Sequence, residues 1–403
     1  MVRTEWHMLV LSFYFTPDLS AGSFRAAALV TALLEADETL RIHVITTQPN
    51  RYKSFASSAL DAEQHNRLTV TRVKLPPHAS GMRDQAQAFL AYAREVGRIT
   101  ANTKYDLVLG TSSRLMTAVL SARIAARSGA PLYLDIRDIF VDTIGDVFPR
   151  PFSAPMRWAF APLERWAIGR AARVNLVSEG FRSYFERRFP RQSFSFHTNG
   201  VDEIFERVDT TATPRDPSAP IRILYAGNIG EGQGLHAIVP ALANSLGSRA
   251  TLRIIGDGGR RRQLEAALET SATADRVTLM PPVDRNALLE EYRKADVLFL
   301  HLNDYAAFEK VLPSKIFEYA ALGKPILAGV GGYAAHFLRT EVTNAAVFAP
   351  CDAAAGAAAL LSLELVDRPR ADFVARFRRS TVMKLLAADV LSVARRLSAG
   401  PQP

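Results

Sequence analysis

Cysteine is almost missing from this chain: Cys351 is the only one in 403 residues. An internal disulfide is therefore excluded, and the composition fits a reducing compartment such as the cytoplasm. Long apolar runs are missing too, since no stretch reaches the roughly 18 uninterrupted apolar residues that a membrane-spanning helix needs. The apolar run at 8–15 breaks at Thr16-Pro17-Asp18 and has no small-residue cleavage site behind it. It reads as a buried first strand and not as the core of a signal peptide. No Asp-x-Asp pair is present to hold a divalent ion on a diphosphate, and no His-Glu-x-x-His zinc pattern occurs. Recognised nucleic-acid modules are absent as well, so nucleic acid is not an expected partner despite a formal charge of +9.

What is present is ordinary globular composition, 48% hydrophobic and 22% charged, in a chain long enough for two cores. The positive charge is concentrated. Between Arg150 and Arg191 nine Arg stand against Glu164, Glu179 and Glu186, interleaved with Phe152, Trp158, Phe160, Trp166, Phe181, Tyr184, Phe185 and Phe189. Two readings fit: an anionic membrane surface bound by the basic aromatic face, or a solvated helix face with its aromatics packed inward.

Strand-like and helix-like runs alternate throughout, the pattern of parallel sheets covered by helices. In the first half the strands read 8–15, 42–46, 69–75, 106–110, 132–135, 174–177 and 195–198, with helical patterns at 24–34, 85–99, 115–126 and 154–168. A polar, breaker-rich stretch then runs from Val208 to Pro220. The second winding has strands at 221–226, 251–255, 276–279, 297–300, 325–328 and 346–348, and helices at 235–246, 260–269, 285–294, 314–322 and 353–365. An amphipathic pattern at 373–397 closes the chain. The expected organisation is thus α/β: a Rossmann-like domain at 1–205, a linker at 206–220, a second Rossmann-like domain at 221–372, and a terminal helix at 373–403 packing back on the first domain. Two such sheets facing across a cleft would bind a ligand at their strands' carboxyl ends.

Gly227-Asn228-Ile229-Gly230-Glu231-Gly232-Gln233-Gly234, between a strand and a helix, is the main phosphate signal. Glycines let the backbone approach a pyrophosphate at a helix N-terminus. Gly232, Gly234 and Ala237 also satisfy a G-x-G-x-x-A dinucleotide pattern, with Asp257 twenty residues after Ala237, so an NAD-linked oxidoreductase or an epimerase fits this segment equally. In the run from Leu312 to Pro325, Pro313 and Ser314 suit a helix start, with Ser314 as N-cap. Lys315 then faces phosphate, and Glu318, at i+4 from Ser314, is placed to accept from ribose hydroxyls. A capped surface helix with a solvated Glu and Lys would look the same.

Taken together, the chain resembles the family-4 glycosyltransferases of the GT-B fold, near the bacterial polysaccharide and O-antigen branch. The resemblance rests on Phe13-Tyr14-Phe15-Thr16-Pro17, Gly22-Ser23-Phe24-Arg25, Asp135-Ile136-Arg137-Asp138 and Val177-Ser178-Glu179-Gly180. It continues through Asn199-Gly200-Val201-Asp202, Tyr225 to Gly230, Ile255-Gly256-Asp257-Gly258 and Pro313-Ser314-Lys315. It implies that Glu318, the second glutamate of the family's Glu-x7-Glu motif, holds the donor ribose. It implies further that Gly22 brings backbone amides to the donor phosphates, that Gly227, Gly230 and Gly232 with Ser314 and Lys315 hold the diphosphate, and that Gly256, Asp257, Gly258 and Val283 flank the base. Arg137 and Asp138 would address the acceptor, Asp138 being the carboxylate best placed as base. The motif's first glutamate is replaced by Lys310, and the family's Arg and Lys of the glycine loop by Asn228 and Gln233. Positive charge then falls to Lys315, Lys310 or Arg25.

The resemblance implies a UDP-type nucleotide sugar as co-substrate, a glycan or lipid-linked acceptor, and retention of configuration in cell-surface polysaccharide or lipopolysaccharide synthesis. No metal or other cofactor is expected, and the site is expected on a cytoplasmic protein, peripheral to the inner face of the plasma membrane. A non-catalytic binding subunit of the same fold is the remaining alternative. Among lone residues, His301 ends a strand and reads as structural, Cys351 as a buried small residue. The cluster Arg260-Arg261-Arg262 reads as a solvated turn more than a phosphate site, because cations at a helix start are unfavourable.

Overall fold

The structure is a computed structural model that describes residues 5–18, 20–49, 59–76, 82–112, 114–141, 144, 150–206, 215–271, 273 and 275–398. It divides into two units, Met1–Asn199 with Ser380–Pro403, and Gly200–Arg379.

The first unit is built on β1 (Trp6–Ser12), β2 (Leu40–Thr47), β3 (Ala62–His65), β4 (Leu68–Val73), β5 (Leu107–Ser112), β6 (Leu132–Ile136), β7 (Arg173–Leu176) and β8 (Phe194–Ser195). Their order in the sheet is β3-β4-β2-β1-β5-β6-β7-β8, parallel except for the β3–β4 pair. Central strands such as β6 are buried along their whole length, which is why they read as largely apolar runs. β3, the edge strand Ala-Glu-Gln-His, is polar and mostly exposed, so no alternation announced it. The helices are α1 (Ala21–Ala36), α2 (Met82–Ile99), α3 (Leu115–Ser128), α4 (Arg150–Arg170) and α5 (Arg182–Arg188). Ser20 caps α1 by accepting from the Ser23 amide at 3.1 Å. Gly129, at φ 66°, closes α3 with its amide on the Ala125 carbonyl.

The second unit holds β9 (Ile221–Ala226), β10 (Ala250–Ile255), β11 (Val277–Met280), β12 (Val297–His301), β13 (Ile326–Gly329) and β14 (Ala345–Phe348), all parallel in the order β11-β10-β9-β12-β13-β14. Around it lie α6 (Glu203–Glu206), α7 (Leu235–Leu246), α8 (Arg261–Glu269), α9 (Arg285–Lys294), α10 (Lys315–Ala321), α11 (Gly332–Glu341), α12 (Ala353–Leu360) and α13 (Ala371–Phe377). Of these, α11 was not among the helical patterns expected from the sequence. Its Ala334, Ala335, Phe337 and Leu338 nonetheless form one buried stripe.

The expected domain limits at 205 and 373 move to 199 and 380, and the reason is a hydrogen-bonded crossing. The Val201 amide donates to the Phe377 carbonyl at 2.7 Å, and the Arg379 amide donates to Val201 at 2.8 Å. Part of the expected linker, 207–214, lies outside the described residues. The single terminal helix expected from 373 is two, α13 and α14 (Arg379–Ser398), separated at Arg378, which leaves the helical region at φ −53°, ψ 126°.

Val382, Met383, Leu386, Ala387, Val390 and Leu391 of α14 join the first unit's core with Met8, Val10, Leu107 and Leu109. One polar clasp fixes this helix. Asp389 accepts from the Tyr133 hydroxyl at 2.6 Å and forms an ion pair with Arg173. Burial pushes the Asp389 carboxyl up, but bonds from His197, Tyr133, Ser195 and Arg173 outweigh it and hold the group far below the usual carboxylate range. Its stabilisation is therefore complete above the unfolded value near pH 3.9 and drains as pH falls below that. Asp389→Ala is expected to cost about 3 kcal/mol at pH 7 in urea unfolding, with the deficit shrinking toward pH 2.

Candidate functional site

In the second unit the strand order reverses between β9 and β12, so the carboxyl ends of β9, β10 and β12 open on one switch point. The chain leaves β9 through Gly227 and β10 through Gly256, and the two loops pack backbone on backbone. A Cβ at Gly256 would overlap the Gly227 carbonyl, and one at Gly258 the Ile229 carbonyl; both residues sit at positive φ, 155° and 158°. Hydrogen bonds lock this approach: the Gly227 amide donates to Ile255 at 2.8 Å and the Ile229 amide to Asp257 at 2.9 Å. Asp257 turns its carboxylate onto the Gly258 amide at 2.8 Å. Val283 is half-buried against the adjoining core.

The glycine turn is stiffened by the residues that replace the expected cations. Asn228 Nδ2 donates to Gln233 Oε1 at 2.8 Å, and the Gly230 amide donates to the same oxygen at 3.2 Å. The Tyr225 hydroxyl donates to the Asn228 carbonyl at 2.6 Å. From the loop after β12, the Asn303 amide donates to the Gly232 carbonyl at 2.9 Å, and its side chain donates to the Glu231 carbonyl at 3.1 Å. His301, fully buried, spans two loops. Its Nε2 accepts from the Cys351 amide at 2.9 Å, which leaves the proton on Nδ1, 2.7 Å from the Gln233 carbonyl. Burial pushes its pKa down to about 4, so the ring is neutral. His301 is structural, as the sequence suggested. Cys351, expected to be buried, is exposed.

Helix α10 completes the arrangement. A Cβ at Gly227 would meet Lys315 Nζ at 2.8 Å and its Cε closer still, so the Lys315 side chain lies directly on the glycine turn. Its ammonium is also 5.8 Å from the Tyr319 ring centroid, while the Tyr319 hydroxyl accepts from the Ala226 amide at 3.3 Å. Glu318, half-buried, accepts from the Tyr292 hydroxyl at 3.4 Å. Burial, and then the Glu318 carboxylate, push the Tyr292 hydroxyl well above its usual value, keeping it a donor. Tyr292 was missed by sequence reading; it lies on α9, and only the tertiary fold brings it to α10.

Two expectations need correction, Ser314 as a cap and Arg25 as a phosphate ligand. Ser314 has helical backbone angles and makes no side-chain cap bond; the first turn is closed instead by the Pro313 and Ser314 carbonyls accepting from Ile316 and Phe317. Lys310 stands at the end of a short 3-10 turn, with Nζ reaching back to the Ala306 carbonyl at 3.5 Å. Arg25 is 1% exposed and spent on the fold. It grips both oxygens of Asp135 at 3.0 and 2.9 Å and donates to the carbonyls of Thr198 and His197 at 2.6 and 2.8 Å. Burial would raise the Asp135 carboxyl; the Arg25 charge and hydrogen bonds override it and hold the group below its ordinary range. Of the arginine cluster, Arg260 pairs with Glu231, and Arg261 pairs with Glu265 and donates to the Gly256 carbonyl at 2.6 Å.

In the first unit, Gly22 opens α1 beneath the guanidinium of Arg137. A Cβ at Gly22 would lie 2.8 Å from Arg137 Nη2 and nearer still to Nη1. Asp138 lines a small cavity walled by Leu115, Ala118, Ile136 and Ala167, and shares it with Glu164. Glu164 is 3% exposed, accepts from the Tyr184 hydroxyl at 3.1 Å and faces Arg188 at 3.3 Å. Sequence reading counted it only as charge. Its phase with Ala167 and Ile168, three and four positions on, was the available signal.

Two parallel-sheet units with a glycine turn and a lysine at one switch point define a nucleotide-binding α/β architecture. Family comparison gives it a name. Residues 22–199 match the Glycosyl transferase 4-like domain and residues 211–379 match Glycosyl transferases group 1, one in each unit, and the chain belongs to the GT-B glycosyltransferases. Among solved structures it is similar to a sucrose-phosphate synthase from Thermosynechococcus elongatus, at 14% identity over 98% of both chains, TM-score 0.65. A trehalose 6-phosphate synthase from Burkholderia multivorans matches at 14% identity over 98% and 99% of the two chains, TM-score 0.64. Anabaena HepE in complex with UDP-glucose matches at 15% over 98% and 99%, TM-score 0.61. A search among curated proteins found no match.

Two measurements follow from this geometry. Because folded His301 refuses a proton that the unfolded chain takes up, its stabilisation is full above the ordinary value of 6.5 and lost as pH falls toward about 4. His301→Asn should flatten that slope in thermal unfolding between pH 6.5 and 5. Arg25→Met should cost about 3 to 5 kcal/mol of stability by stranding Asp135; weakened nucleotide binding at unchanged stability would restore it to the ligand site.

Proposed function

We propose that this glycosyltransferase moves a sugar from a UDP-sugar to a glycan or lipid-linked acceptor, with retention and without a metal ion. One observation carries the reading: Lys315 lies on the Gly227 turn while Glu318 follows on the same helix, at the switch point of the second unit. An ammonium against open backbone suits a diphosphate, and a half-buried carboxylate, already oriented by Tyr292, suits a pair of ribose hydroxyls. The UDP-glucose bound to HepE, a protein of the same fold, supports the nucleotide. The base is assigned to Gly256, Asp257, Gly258 and Val283.

In the reaction the bond from the sugar's anomeric carbon to the phosphate oxygen breaks, and a bond to the acceptor oxygen forms. UDP leaves with the electron pair, and the acceptor hydroxyl passes its proton to the departing phosphate oxygen. Charge builds on the leaving phosphate, where Lys315 is the fixed cation. Preorganised charge of this kind is worth about 3 kcal/mol per donor. We assign the acceptor to the first unit, near Arg137 and Asp138. The cellular setting we propose is cell-surface polysaccharide or lipopolysaccharide synthesis at the cytoplasmic face of the plasma membrane.

UDP and UDP-glucose, tested beside GDP and NAD, should raise the melting temperature and give calorimetric binding; stabilisation by NAD alone would overturn the assignment. Lys315→Ala is expected to lower kcat about a hundredfold, and transfer should persist in EDTA. Glu318→Gln keeps an acceptor for Tyr292, so it should lose donor affinity with its melting temperature nearly unchanged. Full activity in that variant would remove Glu318 from the site.

A further inference from the structure

Helix α4 wears its polarity reversed. Its only acid, Glu164, is 3% exposed, while Trp158 is 83% exposed and Trp166 44%. Helical periodicity puts Trp158, Pro162, Arg165, Trp166 and Gly169 along one outward stripe, and all five are exposed. Eight residues separate the two indoles, about 12 Å along the axis. Arg157, Arg165 and Arg170 of the same helix are exposed, as is Arg191 beyond α5. The helix therefore presents two aromatic rings and several cations with no carboxylate among them. Four aromatics beyond α4 do something different: Phe181, Tyr184, Phe185 and Phe189 are buried. Inward packing thus explains that half of the segment and leaves α4 unexplained.

We propose that the outward face of α4 docks on an anionic lipid bilayer, with Trp158 and Trp166 seated at headgroup depth and Arg157, Arg165 and Arg170 on lipid phosphates. Amphipathic indoles favour that depth, where apolar rings meet wet polar groups. Pro162, inside the helix, donates no amide to the carbonyl one turn back, which suits a hydrated layer better than the hydrocarbon core. Among the described residues no helix is long and apolar enough to cross a membrane, so this is surface binding. The purpose rests on the lipid-linked acceptor of the proposed function; the docking itself does not.

The test uses the full chain and co-sedimentation with vesicles of phosphatidylcholine alone or with phosphatidylglycerol. Binding is expected only to the anionic vesicles, falling with salt. Arg157→Ala/Arg165→Ala/Arg170→Ala should weaken it by roughly fivefold per arginine. Trp158→Ala/Trp166→Ala should weaken it about tenfold and abolish quenching of tryptophan emission by brominated lipid. UDP-glucose binding, measured on each variant, should stay unchanged; this reports the donor site separately, so failure of either idea is distinguishable. Equal binding to neutral vesicles, or wild-type binding by the tryptophan variant, overturns the proposal. So does a dimer in light scattering that the tryptophan variant converts to monomer, because the stripe would then be a protein interface.

Discussion

Lys315 occupies the space that any side chain at residue 227 would fill, and the remaining geometry of the second unit is arranged around that overlap. For the lysine to lie there, β9 must end in a residue without a Cβ. For Gly227 to hold its own position, φ 152°, the loop after β10 must come within contact of its carbonyl, which in turn requires glycine at 256. Three residues distant in sequence thus become one object. An alanine at either glycine would act on a ligand only by first displacing the Lys315 side chain or backbone.

Electrostatics singles out one residue of the same object. Asn228 and Gln233 satisfy each other and the Gly230 amide, so they contribute shape and not charge. Arg260 and Arg261 are committed to Glu231, Glu265 and backbone carbonyls. Even the histidine beneath the turn is held neutral by burial. Lys315 remains as the cation laid on the turn itself, and an anion arriving there meets one localised charge in a frame that need not reorganise.

The strands and most helices were legible because their signal is local: continuous apolar runs for strands buried on both faces, and one buried stripe for each covering helix. The ribs Gly227, Gly256 and Lys315 were legible as a chemical vocabulary, glycines and a lysine next to strand ends. What escaped reading is relational. Arg25 looked like a phosphate ligand because nothing in Gly-Ser-Phe-Arg discloses that Asp135, 110 residues away, waits for its guanidinium. Tyr292 was likewise invisible as a partner, since its role comes from packing between helices. Ser314 misled in the opposite direction: a good cap residue was left uncapped because the turn starts one residue earlier, at Pro313.

This division explains how a chain at 14% identity keeps the architecture of a sucrose-phosphate synthase over 98% of its length. Burial patterns tolerate exchange among apolar residues of similar volume, so strands drift freely while the sheet stays. Backbone-on-backbone contacts tolerate almost nothing, and in this chain the glycines at those contacts are the readable signature. Side-chain cations belong to neither class. They can be replaced by a neutral pair such as Asn228 and Gln233 when one lysine already supplies the charge, and the loop keeps its shape because the pair hydrogen-bonds across it. A motif match that insisted on every charged position would have rejected this chain; one that weighed the backbone-determining glycines would not.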